Sequence, residues 1–106
     1  MKKFQEVIPD EEHWCKYGYS NVLPNGSRQF CLSGAVLVLS ATPNWSLNWH
    51  NKHLYPIALS KAFEQITGRD AICVPSFNDS PSTTFQDIQP ILARADELLL
   101  EMEHGI

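Results

Sequence analysis

Cys15, His50, His53, Asn78 and Asp79 supply the residue types of a cysteine-nucleophile site. The thiol would attack, an imidazole would take its proton, and an amide or carboxylate would orient the imidazole. These residues are scattered along most of the chain, so only a fold can bring them together. A reactive thiolate also needs a helix N-terminus or a cation beside it. Cys15 instead lies between Trp14 and a segment that reads as a hairpin, which favours a buried structural thiol. Cys31, inside the apolar run "CLSGAVLVLSA", is expected to be more inert still.

Metal chemistry fares no better. Cys15, Cys31, Cys73 and one histidine would make a four-ligand zinc set by number, but they lack the close ligand pairs that structural zinc sites use. His50 and His53 have the spacing to share a face, yet no acid stands between or near them, as a catalytic metal helix requires. There is no Gly-rich phosphate loop and no nucleophile elbow. Asp10 and Glu12 sit in a charge run, not in an apolar setting that would raise a carboxyl pKa. The sequence therefore favours a protein that is not an enzyme and calls for no metal or cofactor.

Two segments offer binding chemistry. "NWSLNWHNKHLY" carries Trp45, Trp49, His50 and Tyr55, aromatic-rich as interface centres are. These side chains form either a protein-binding loop or plugs that fold back into the core. "SFNDSPSTTFQDI" carries small polar residues ahead of a helix start. Thr84-Phe85-Gln86-Asp87 fits a capping box, Asn78-Asp79 suits an Asx-turn, and Pro81 sets the next bend. Scaffolding accounts for every polar residue there. The alternative site is Cys15, Asn78, Asp79 and Thr84, since a polar turn ahead of a helix can hold an anion on its free amides.

The elements that must position these residues are legible to different degrees. Phe4, Val7 and Ile8 have helical spacing, Pro9 interrupts, and "PDEEHW" restarts with acids. Two short helical pieces or one broken helix are expected over 2–14. Tyr17, Tyr19 and Val22 precede Asn25-Gly26 and Phe30 follows it, which predicts a small β-hairpin with a two-residue turn. The run 31–41 has no decisive period. Residues 42–52 read as a loop. "HLYPIALSKAFEQITG" predicts a helix with the stripe Leu54, Ile57, Ala58, Ala62 and Ile66, stopped by Gly68. "AICVPSF" reads as extended. The last segment predicts an amphipathic helix with Ile88, Ile91, Leu92, Ala95, Leu98, Leu99 and Met102 on one side, kinked or late to start at Pro90.

At 106 residues the chain is expected to be one domain over 1–106. Only 19% of the residues are charged, which leaves room for an exposed apolar patch. A net charge of −4 without a basic cluster argues against a nucleic-acid partner. The acids crowd both ends: Glu6, Asp10, Glu11 and Glu12 at one, Asp96, Glu97, Glu101 and Glu103 at the other. Both groups read as solvated helix faces, the alternative being a surface presented to a basic partner. Three widely spaced cysteines without CxxC predict reduced thiols and a cytoplasmic location. No apolar run is long enough to cross a bilayer, so no membrane partner is expected.

Three stretches in order, "HWCKYG", "FCLSGAV" and "FNDSPSTTFQDI", resemble an uncharacterised family of small proteins from bacteria, especially actinobacteria, and their phages. Its members carry a Trp-Cys motif, a Cys-Ala-Leu-Gly-Ala type motif and a Trp-Asn-Asp stretch with Pro and Thr before a final helix. The corresponding residues are Trp14 and Cys15, then Cys31, Leu32, Gly34 and Ala35, then Asn78, Asp79, Pro81, Thr84 and Asp87. The resemblance covers roughly residues 4–100. This chain departs from it with His13 in place of Gly, a Ser inserted in the second motif and Phe77 in place of Trp. The resemblance implies a mostly helical domain, which tips 31–41 toward helix, and it implies no activity.

The expected fold is mainly α (α+β), three to four helices packed with one small β-hairpin. The expected function is non-enzymatic binding of another protein, in its most specific form a phage-encoded modulator of a host defence system. The competing readings are a small enzyme or ligand-binding domain at Cys15 or Asn78-Asp79, and a structural subunit of a larger assembly.

Overall fold

A computed structural model describes residues 2–41 and 54–103. Among them are five α-helices, two 3-10 turns and one two-stranded antiparallel sheet. The mixed but mainly helical architecture matches the expectation, with two of the helices very short.

The N-terminal piece is broken as expected, into helix α1 (Phe4–Val7) and a 3-10 turn at Glu11–His13. Phe4 and Ile8 are fully buried. What anchors so short a helix is Asp96, from the far end of the chain. Its carboxylate accepts from the Phe4 amide at 2.6 Å, the Gln5 amide at 3.1 Å and the Gln5 side chain at 2.9 Å. Helix N-termini carry unpaired amides and a partial positive charge, so a buried carboxylate is well compensated there. Asp96 is thus no solvated acid, contrary to the reading of the C-terminal cluster.

The hairpin pairs β1 (Ser20–Val22) with β2 (Arg28–Phe30), in register Asn21 opposite Gln29. Its turn is not the two-residue one. The Leu23 amide bonds the Ser27 carbonyl and the Gly26 amide bonds the Leu23 carbonyl, so the loop is Pro24-Asn25-Gly26. A two-residue turn would make Pro24 donate a ladder bond, and proline has no N–H. The closing pair therefore moves out to Leu23, and Gly26 takes up the left-handed conformation at φ 86°.

Helix α2 (Leu32–Ala41) settles the ambiguous run as helix. It buries Leu32, Gly34, Ala35 and Leu39 and leaves Leu37 exposed. Gly34 is required: a Cβ there would stand 1.9 Å from the Tyr19 carbonyl oxygen. Helix α3 (Leu54–Thr67) forms where expected but is rotated about its axis. Its buried stripe is Tyr55, Ala58, Leu59, Ala62 and Phe63, while Ile57 and Ile66 are exposed. The observed stripe carries two aromatic rings and so removes more apolar surface from water.

Residues read as extended are helical. A 3-10 turn at Ala71–Cys73 runs into α4 (Val74–Asp79). Asp70 caps the turn by accepting from the Ile72 amide at 3.0 Å. Pro75 falls in the first turn of α4, where its missing N–H costs nothing. Helix α5 (Phe85–Glu103) begins ahead of Pro90, so its start is not delayed. Pro90 is on the exposed side, where water can serve the carbonyl left free one turn earlier. The helix buries Ile88, Ile91, Leu92, Ala95, Leu98 and Leu99 against α3 and α1. Met102 packs partly buried at the end of this stripe.

Candidate functional site

Asn78 is the residue around which the predicted polar positions gather. It is 1% exposed, and all of its bonding capacity visible here goes to the fold. Its oxygen accepts from the Trp14 indole at 2.8 Å and the Leu32 amide at 3.1 Å. Its amino group donates to the Cys15 carbonyl at 3.1 Å and to Asp79 Oδ1 at 3.0 Å. One side chain thus joins α4 to the start of α2 and to the strand-like segment at Trp14. Asp79 Oδ1 also accepts from the Tyr17 amide at 2.8 Å. The expected Asx-turn is therefore replaced by long-range bonds from the last turn of α4.

Cys15, Asn78 and Asp79 do come together, in surroundings that do not favour a thiolate. The Cys15 thiol donates to the Gly18 carbonyl at 3.6 Å. Burial pushes its pKa up, and Cys31 and Asp79 act in the same direction, the reverse of what a thiolate nucleophile needs. His13, whose ring pairs with Asp10, is the one imidazole among the described residues. Among those residues no three or more His, Cys, Asp or Glu could hold a metal ion. Thr84 lies apart from this cluster and forms only the returning half of the expected capping box, since the Asp87 amide donates to the Thr84 main-chain carbonyl at 3.0 Å and not to its hydroxyl. Its amide donates to Asp87 Oδ2 at 2.8 Å and its hydroxyl to the same oxygen at 3.1 Å.

Trp45, Trp49, His50 and His53 lie outside the described residues. Tyr55, named with them, is a core residue. Its ring meets Phe4 edge-on at 5.7 Å and its hydroxyl donates to the Lys2 carbonyl at 2.8 Å.

The surface feature that sequence reasoning missed is a groove along α2. Two adjoining hollows, about 480 Å³ and about 430 Å³, share Tyr19, Ser33 and Pro75. The larger is mainly apolar, lined by Val36 and Leu37 of α2 together with Pro56 and Ile72. The smaller lies toward Tyr17, Cys31 and Asp79. Tyr17, Tyr19, Leu37 and Ile72 are all exposed, Tyr17 at 74% and Ile72 at 83%. Tyr17 sits at φ 66°, a conformation that costs a bulky residue about 1–3 kcal/mol and that the bond to Asp79 holds in place. Tyr19 is fixed by its main chain, whose carbonyl accepts from the Cys31 amide at 3.2 Å and lies against Gly34. The signal in the sequence was "KYGYS", two aromatics around a glycine.

With this geometry in view, comparison with known proteins gives one match. The model of a family of unknown function, DUF6197, matches residues 1–98. The chain belongs to the DUF6197 family. No curated protein and no solved structure matches it. Membership of DUF6197 covers every element described above up to the last turn of α5. Among the described residues no helix is long and apolar enough to cross a membrane.

Proposed function

We propose that this domain is a binding module without chemistry of its own, which holds an apolar segment of another protein along the groove between Tyr19, Leu37 and Ile72. One observation carries the reading: large apolar side chains stand exposed around two adjoining hollows instead of closing over them. Such contiguous apolar patches mark contact surfaces. The cost at Tyr17 supports it too, because a strained aromatic kept at the surface gives the core nothing in return. Asn78 and the Cys15 thiol, two of the residues that could have done chemistry, bond within the fold. Three free cysteines fit a reducing compartment such as the cytoplasm. The narrower form, a phage-borne modulator of a host defence protein, follows from the resemblance alone.

The test is affinity capture from lysate of the source cells, using wild type beside Tyr19→Ala and Ile72→Asp. Proteins held by wild type and lost by both variants support the groove as the contact surface. Identical recovery by all three disposes of it.

A further inference from the structure

We infer that the Tyr17–Tyr19 end of the groove takes a cationic side chain of the partner, an arginine or lysine, whose apolar neighbours run on along α2 toward Ile72. The inference rests on the binding reading above and adds the charge of the occupant.

The smaller hollow is lined by two exposed tyrosines and one charged residue, Asp79. That carboxylate is half-buried, and the Tyr17 amide and the Asn78 amino group both donate to its Oδ1. Among the described residues no lysine or arginine pairs with it. Lys16, beside Tyr17 in the chain, is engaged elsewhere. Its Nζ donates to the Ser80 carbonyl at 2.7 Å and stands 5.3 Å from the centre of the Trp14 ring.

An occupant that is apolar throughout would desolvate Asp79 without compensating it, which is unfavourable. An anion would be repelled. A cation there has a carboxylate and two tyrosines lining the same hollow, residue types that together recognise guanidinium and ammonium groups. The adjoining hollow has no charged lining residue, so the residues next to that cation must be apolar. The chain's net charge of −4 steers the encounter in the same sense. The bond that fixes Tyr17 in its left-handed conformation also ends on Asp79, so ring and charge are held in one arrangement.

The experiment titrates the isotope-labelled full chain with two peptides, acetyl-Arg-Leu-Leu-amide and its neutral isostere acetyl-citrulline-Leu-Leu-amide, following amide shifts by NMR. The arginine peptide is expected to move Tyr17, Gly18, Tyr19 and Asp79 and to bind about three- to tenfold more tightly at low salt. The gap should close in Asp79→Asn, whose side-chain oxygen can still accept from the Tyr17 amide. Equal affinity of the two peptides for the wild-type groove overturns the cation and leaves the binding module standing. Shifts from neither peptide overturn both. The wild-type comparison decides the matter even if the variant fails to fold.

Discussion

At the scale of the residue, the polar side chains here earn their positions by bonding over long chain distances. Asn78 is the clearest case. Asn78→Leu would leave the Trp14 indole and the Leu32 amide without acceptors inside the core, and buried donors in that state are costly. Chemical denaturation should show a loss of about 2–4 kcal/mol, well beyond the loss of an ordinary surface contact. Cys15 allows a prediction in pH. Its thiol pKa in the folded chain lies above the ordinary value near 9, so the folded state keeps the proton longer than the unfolded one does. The stability this group contributes is fully present below that ordinary value and is lost as pH rises through the folded pKa. Tyr55, also shifted upward, chiefly by burial, acts in the same direction at higher pH. Denaturation midpoints should therefore fall on the alkaline side, and iodoacetamide should alkylate Cys15 at neutral pH more slowly in the folded chain than in denaturant. Alkylation faster in the folded chain would contradict the environment described for this thiol.

Among the elements, α2 depends on how closely it approaches the loop before β1. Gly34 lets the helix rest on the Tyr19 backbone, and the Cys31 amide bonds the same carbonyl. Gly34→Ala would gain helix propensity of about 1 kcal/mol, but its methyl has no space against a backbone oxygen. Backbone cannot swing aside as a side chain can, so the helix and the hairpin must separate. A net loss of about 1–3 kcal/mol is expected in thermal or chemical melts, with shifted amide resonances at Tyr17 and Tyr19. Unchanged resonances there would mean that α2 does not set the aromatic end of the groove. The Asp96 anchor shows the same dependence between elements. A four-residue helix is far below the length that holds together alone, and α1 persists because α5 supplies part of its apolar seat and, through Asp96, acceptors for its first amides.

At the scale of the whole molecule, the shortest dimension is 19 Å, little more than one helix and its side chains over another. A body that thin buries one face of each element and leaves the other at the surface. Leu37 and Ile72 are exposed on this account, and they flank the groove without closing it. Ile72→Asp should for that reason leave the melting temperature close to wild type, since the residue is 83% exposed. A lost partner in the capture experiment, with an unchanged melt, then reports on contact and not on folding.

Much of the fold could be read directly from the residues. The broken N-terminal helix, the hairpin, α3 and α5 follow from local spacing, from proline and glycine positions, and from capping residues, all of which act within a few positions of themselves. The turn at Pro24 was also determined locally, by the missing N–H, which outweighs the two-residue preference of Asn25-Gly26. Asp96 left a trace as well, an acid set into the apolar stripe between Leu92 and Leu99. The helical state of Val74–Asp79 left little trace beyond Pro75, because its apolar face is defined only by what it packs on. The rotation of α3 and the commitments of Asn78 and Asp79 were decided by partners dozens of residues away. The groove belongs to the same class: Tyr17, Tyr19, Leu37 and Ile72 are ordinary apolar residues in the sequence. Only the packing of α2 against the segment before β1 and beside α4 determines that these four stay in water. Local chemistry selects the elements, while burial is a property of pairs of surfaces and exists only once the chain has closed on itself.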